Sequence, residues 1–262
     1  IQSVNITKDI ESIGTKAFYK CYELTTLHIS TGLKLVDVDA FAYCLKLANV
    51  SIESVDQWAQ IFFSTVLSNP LFFAKSLQCE ELSSKVLSLS EGIPLITSGA
   101  FKDCRDIEKV FIPSSVREIR GCAFLYCNGI KEVHIKDIKA WVSTQFISFS
   151  ANPLYQGARL FINGQEARTI EFVKNTFIRE HALVRTKSIE SIVLHDGCEL
   201  GHEAFKECPN LTKVTIKSPN VKINPSAFRG CAIDVRFIGS KSEWQAIANG
   251  ELEGVASISF SK

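Results

Sequence analysis

The chain has 262 residues, is 46% hydrophobic and carries a net charge of +1 from 29 basic and 28 acidic residues. That is enough apolar material for a sizeable core and argues against disorder. The balanced charge leaves no electrostatic footprint of nucleic-acid binding, and no apolar run nears the roughly 18 residues that span a bilayer.

Ile1, Val4 and Ile6 alternate as in a strand. The sequence starts inside this pattern, with no methionine and no secretory signal, and is read as a fragment or a mature product of a longer precursor. Ala17-Phe18-Tyr-Lys-Cys21 follows, then Leu24, Leu27 and Ile29. The same unit returns at Ala40-Phe41-Ala-Tyr-Cys44, followed by Leu47, Val50 and Ile52. Apolar-x-x-apolar-x-apolar predicts a half-buried strand after each Cys. One apolar residue upstream of each Phe, such as Ile13 and Val36, closes the other side of the coil.

A first insert occupies about residues 54–82. Ser54 and Gln57 match a capping box, and Trp58, Ile61 and Phe62 are spaced as one face of a short helix. Asn69-Pro70-Leu71 breaks it, and Leu77 leads back to a strand. Two more repeats come next. Phe101 and Cys104 precede Ile107, Val110 and Ile112; Phe124 and Cys127 precede Ile130, Val133 and Ile135. The second insert, about 137–167, repeats the first with Trp141 and Asn152-Pro153-Leu154, and its Asn163-Gly164 reads as a type I′ hairpin turn.

Ala182-Leu183-Val-Arg-Thr186 is a degenerate copy, with Leu for Phe and Thr for Cys, followed by Ile189, Ile192 and Leu194. Phe205 with Cys208, and Phe228 with Cys231, complete the array. A third insert, about 240–262, opens with Ser240 and Glu243 as a capping box and contains Trp244. Phe18 to Phe41, Phe101 to Phe124 and Phe205 to Phe228 are all 23 residues apart. That period marks a leucine-rich repeat. The expected fold is an α/β-type repeat solenoid spanning 1–262 as one domain. It has one concave parallel sheet and about seven coils, with Phe or Leu at 18, 41, 101, 124, 183, 205 and 228. Trp-containing helix and hairpin inserts interrupt it.

Six of the nine cysteines hold one repeat position, so they read as a ladder of buried thiols packed as small hydrophobes. Redox compartment does not follow from their number. Cys122 stands where other repeats have Lys16, Asp39, Gly99, Glu203 or Ser226. The Trp residues read as plugs between coil pairs, with carbohydrate stacking as the alternative.

Six Ala-Phe-x-x-Cys motifs, the strands LTTLHI, IEKVFI, IKEVHI and LTKVTI, and the Trp…Asn-Pro-Leu inserts together resemble the BspA-like leucine-rich-repeat proteins, a bacterial surface family also expanded in some protozoa. The resemblance covers essentially the whole chain. It implies a right-handed solenoid, secretion or surface display, and adhesion to host proteins, matrix or other cells. It brings no catalytic residues with it.

No G-x-S-x-G, P-loop, GxGxxG or HExxH motif occurs. His195, Cys198 and His202 form the nearest approach to a metal set, but their spacing fits no standard zinc site and they read as turn residues. No enzyme, metal or cofactor is expected. Asn5, Asn49 and Asn210 begin N-x-S/T sequons, which matter only in a eukaryotic secretory route. The outward strand positions make the candidate ligand surface, with His28, Phe111, Lys131, His134 and Thr215 as its named residues. A non-enzymatic binding module for a protein or glycan is the first reading. A stiff spacer in a larger surface protein is the alternative, and an enzyme the least supported.

Overall fold

The last two apolar positions of each repeat fall on or directly beside a short strand in which inward and outward residues alternate, and the first lies just before it. Thr26–Ile29 buries Leu27 and Ile29 and turns Thr26 and His28 outward. Glu132–Ile135 buries Val133 and Ile135 in the same way. The computed structural model describes residues 1–74, 76–248 and 252–261. It contains two compact units, Ile1–Ile130 and Lys131–Lys262.

In the first unit, Ser3–Ile6, Thr26–Ile29, Asn49–Ile52 and Ser76–Gln78 form a parallel sheet in that order. The register sets Asn5 beside His28, His28 beside Ser51 and Ser51 beside Gln78. Each repeat position therefore stacks on its copy in the next coil, which is why the period is preserved. Two-residue strands, Ser12–Ile13, Leu35–Val36 and Phe62–Phe63, form a second parallel sheet. Lys109–Phe111 pairs with Val86–Ser88, and Glu118–Ile119 with Leu95–Ile96, also in parallel.

The second unit repeats this plan. Thr169–Phe172, Ser191–Leu194, Lys213–Ile216, Ile233–Ile238 and Val255–Ser261 form a five-stranded parallel sheet. Arg159–Ile162 pairs in parallel with Glu132–Ile135, then turns back antiparallel on Gln165–Glu166. Asn163 and Gly164 at that turn have φ of 50° and 79°. A type I′ turn requires both angles to be positive.

The Phe rings of the Ala-Phe-x-x-Cys turns stack in three pairs. Ring centroids lie 5.2 Å apart for Phe18–Phe41 and 5.5 Å for both Phe101–Phe124 and Phe205–Phe228. Phe41, Phe101, Phe124 and Phe205 are fully buried, and Phe228 nearly so. Each such ring adds about 1.5–3 kcal/mol of burial free energy. Leu183 and Thr186 of the degenerate copy are also fully buried.

Helices are few and short: α1 (Val55–Trp58), α2 (Ile138–Val142) and α3 (Lys241–Ala248). None among the described residues is long and apolar enough to cross a membrane. The expected helical face of Trp58, Ile61 and Phe62 is not formed. Helix α1 ends at Trp58, and the chain turns through Ala59 and Gln60 into the strand Phe62–Phe63, where Phe63 is buried and Phe62 is exposed. The Ser54 side chain accepts from the Gln57 N–H, but the Gln57 carboxamide goes to the Leu33 carbonyl, so only half of the capping box is made. At α3 both halves form between Ser240 and Glu243. Parts of the third insert, residues 249–251 and 262, lie outside the described residues.

The segments that follow α1 and α2 dock alike. Trp58 Nε1 donates to the Ala100 carbonyl at 2.5 Å, and Trp141 Nε1 to the Ala182 carbonyl at 2.8 Å. Asn69 Nδ2 reaches the Gly99 carbonyl at 3.0 Å, while its Oδ1 accepts from the Leu71 N–H. Asn152 Nδ2 reaches the His181 and Ala182 carbonyls at 2.8 and 3.1 Å, while its Oδ1 accepts from the Leu154 N–H. These side chains add donors to carbonyls at the start of the following turn, where Gly99 and His181 also accept from the Lys102 and Val184 N–H groups.

Candidate functional site

The outward positions of the strands are where side chains leave the core without leaving the sheet. In the first unit His28 lies in the row Asn5, His28, Ser51, Gln78. Its Nδ1 is 3.0 Å from Ser51 Oγ, and its Nε2 is 3.7 Å from Glu53. The row is polar and held by bonds between coils. Phe111, at the end of Lys109–Phe111 and paired with Ser88 in a separate sheet, has 38% of its surface exposed.

In the second unit the register sets His134 beside Phe161. Their rings stack with centroids 4.6 Å apart and planes 14° from parallel. His134 Nε2 lies 2.9 Å from Glu132 Oε2, Arg159 Nη2 lies 3.1 Å from Glu132 Oε1, and the Arg159 guanidinium covers the Phe161 ring at 5.4 Å. Four side chains from two adjacent strands therefore fix one another's rotamers. Lys131 precedes them, exposed, and its carbonyl accepts from the Arg159 N–H. Thr215 is half-buried between Val193 and Arg236 on neighbouring strands and is apart from this cluster. Phe161 and Arg159 are functional candidates that the sequence motifs do not mark, flanking the fully buried Leu160. Their signal is the alternation itself, because both neighbours of an inward Leu160 must face outward.

Glu171, His195 and Lys217 form a third outward group. His195 Nε2 and Lys217 Nζ lie 2.5 and 3.1 Å from Glu171 Oε1. The His195 hydrogen bond, then Lys217, holds the Glu171 carboxyl below its usual range. His195 is thus committed to Glu171. The Cys198 thiol is buried against the Phe172 and Val173 carbonyls, so the sequence grouping of His195, Cys198 and His202 is not assembled.

The six repeat cysteines carry thiols rather than disulfides. Cys44, Cys127 and Cys208 are buried; Cys21, Cys104 and Cys231 are half-buried, short of the uniform burial expected for the ladder. No Ala-Phe-x-x-Cys turn lies 23 residues before Cys104. Together with Cys79, Arg105 and Ser76 it lines a cleft of about 420 Å³ in the first unit. Burial raises both thiols above their ordinary value, which keeps them protonated and poorly nucleophilic at neutral pH. Cys122 is half-buried with φ of 61°.

His181, His202 and Glu203 are the one group of three His, Cys, Asp or Glu side chains among the described residues whose ligand atoms converge, all within 4.8 Å of one another. Burial lowers the His181 pKa, favouring neutral imidazole. Burial pulls Glu203 upward, but the Lys206 hydrogen bond and the charges of Lys206, His202 and His181 outweigh it and leave the carboxyl lowered.

The BspA type leucine rich repeat region matches the chain in 6 copies, over residues 1–79, 75–151 and 139–249. No curated protein matches. A leucine-rich repeat protein from Bacteroides ovatus ATCC 8483 is similar at 18% identity and a TM-score of 0.48, with 100% of this chain and 61% of that one covered. A leucine rich cell surface protein from Faecalibacterium prausnitzii A2-165 is similar at 16% identity and 0.45, covering 100% and 88%. The pneumococcal vaccine antigen PcpA is similar at 16% and 0.41, covering 100% and 68%. The chain thus spans 61% of the length of the first of these structures.

Proposed function

The chain belongs to the BspA-type leucine-rich-repeat family, and from that membership we propose that it is a non-enzymatic binding module, displayed at a cell surface or secreted, that adheres to a protein or glycan through the outward face of its strands. We read its repeats as seven coils of ~23 residues. Phe or Leu stands at 18, 41, 101, 124, 183, 205 and 228, and the Trp-containing segments are docking inserts. The Trp58–Ala100 and Trp141–Ala182 hydrogen bonds support that division.

The observation that carries the binding reading is the His134–Phe161 stack with its Arg159 and Glu132 partners. Aromatic and Arg side chains already fixed in place lose little entropy on binding, which suits them to anchor an interface. Phe111 supplies exposed apolar surface on the first unit, and His28, Lys131 and Thr215 supply polar contacts. The test is binding of the chain to a panel of immobilised matrix proteins and glycans, alongside Phe161→Ala, His134→Ala and Phe111→Ala. Saturable binding weakened at least about tenfold by one of these, as removal of an interface anchor produces, supports the reading. Binding that all three leave unchanged removes the strand face as the site. No binding to any member of the panel favours a spacer in a larger surface protein.

A further inference from the structure

We propose that His181, His202 and Glu203 form a binding site for a first-row divalent transition metal, with Zn²⁺ the best match to two imidazoles and one carboxylate. Zinc takes this donor set with three protein ligands and leaves a fourth position to water or to another molecule.

The repeat itself builds the site. His181 and Glu203 occupy the same place on successive coils, just before Ala182 and Ala204, and both have left-handed backbones with φ of 60° and 51°. The His181 N–H donates to the His202 carbonyl at 3.3 Å, which locks the two turns together. Parallel coils set equivalent residues about 4.8 Å apart. Side chains leaving two such positions in the same direction therefore converge. The three ligand atoms already lie within 4.8 Å of one another. Tetrahedral zinc with bonds of about 2.0–2.1 Å needs them roughly 3.3 Å apart. His202, which is exposed, closes that difference by rotating its side chain.

An independent observation points the same way. His181 Nδ1 is one of two buried side-chain polar atoms that find no hydrogen-bond partner among the described residues. It lies 3.6 Å from Glu203 Oε2, beyond hydrogen-bond range but on opposite sides of a gap that a cation can bridge. A buried polar atom without a partner costs free energy, and coordination removes that cost. The Phe149 ring stands edge-on to His181 at 6.3 Å and walls one side.

The competitor is also in view. Lys206 Nζ lies 2.9 and 3.0 Å from the two Glu203 oxygens, and Arg229 Nη1 lies 3.3 Å from Oε1. These cations hold Glu203 as an anion, and a metal must displace Lys206 from Oε2. Lys206 therefore sets the affinity without being a ligand.

Calorimetric titration of the metal-stripped chain with Zn²⁺ tests the site. One equivalent should bind. His202→Gln, at an exposed position and with its fold checked by circular dichroism, and Glu203→Gln should each weaken binding at least about tenfold. Lys206→Met should tighten it, and His195→Gln should leave it unchanged. Co²⁺ in place of Zn²⁺ should give visible d–d bands without a thiolate charge-transfer band. The proposal is overturned by the absence of saturable uptake, by uptake that His202→Gln leaves unchanged, by an affinity indifferent to Lys206→Met, or by a thiolate band, which would place the metal on cysteines.

Discussion

The Cys127 thiol lies 2.8 Å from the Phe101 carbonyl oxygen, one coil upstream. Cys44 reaches the Phe18 carbonyl at 3.2 Å, Cys208 the Leu183 carbonyl at 3.0 Å and Cys231 the Phe205 carbonyl at 3.1 Å. The repeat position thus calls for a small side chain that packs like a hydrophobe and still carries a weak donor. Thr186 fills it in the degenerate copy, but its hydroxyl turns to Leu183 of its own coil at 2.8 Å.

Cys127→Ala is expected to destabilise the protein by about 1–2 kcal/mol, from the small cavity and the lost donor together. Cys122→Ala, at a half-buried turn position, should cost less. Urea denaturation of both variants checks this. Equal losses would mean that the thiol ladder contributes no more than an ordinary turn residue.

Burial pushes the Cys44 thiol up to about 11 and the Cys127 thiol up to about 12. Both hold their proton more tightly folded than unfolded, where the value is near 9. Their effect is therefore nil below the unfolded value, and stability declines as pH rises from about 9 toward 11 or 12. Melting temperatures should fall over that window, with a shallower slope in Cys127→Ala. An identical slope in the variant would show that other groups govern the alkaline limb.

Asn152 satisfies the His181 and Ala182 carbonyls and the Leu154 N–H while fully buried. Asn152→Ala leaves these three groups without that partner, at roughly 1 kcal/mol each, so a loss of about 2–3 kcal/mol is expected. Trp141→Phe keeps most of the ring volume and removes only the bond to Ala182, and should cost less. Thermal melts that rank the two variants in the opposite order would mean that the insert is held by the ring rather than by its polar contacts.

The strands and the period were legible because apolar spacing reports burial directly: Leu27 with Ile29, and Val133 with Ile135, cannot face the core in any other register. The end of α1 was not. Ile61 and Phe62 have helical spacing from Trp58, yet pairing of Phe62–Phe63 with Leu35–Val36 outweighs a single turn of helix. The His134–Phe161 stack needs the strand register, because the two residues are far apart in sequence and outward positions carry no pattern of their own. The same holds for His181 and Glu203, which meet only through the stacking of turns.

Those turns carry a second regularity that composition hides. Lys16, Asp39, Gly99, Cys122, His181 and Glu203 precede the Ala, and Lys20, Tyr43, Asp103, Tyr126, Arg185, Glu207 and Gly230 precede the Cys or Thr. All have φ between 51° and 75°. A left-handed backbone costs an ordinary residue about 1–2 kcal/mol, and glycine escapes that cost while giving back roughly 0.5–1 kcal/mol in chain entropy. Lys20 is exposed, and its ammonium sits over Tyr19 at 5.1 Å. Lys20→Gly is therefore expected to be neutral or to stabilise by about 0.5 kcal/mol. The reverse change, Gly99→Ala, keeps φ at 66° and brings a Cβ to 3.0 Å from Phe72 and 3.1 Å from Asn69 Nδ2. It should cost about 2 kcal/mol, because it adds backbone strain and disturbs the docked insert. Chemical denaturation of the pair decides the matter: comparable losses in both would show that the left-handed geometry does not set the preference at these positions.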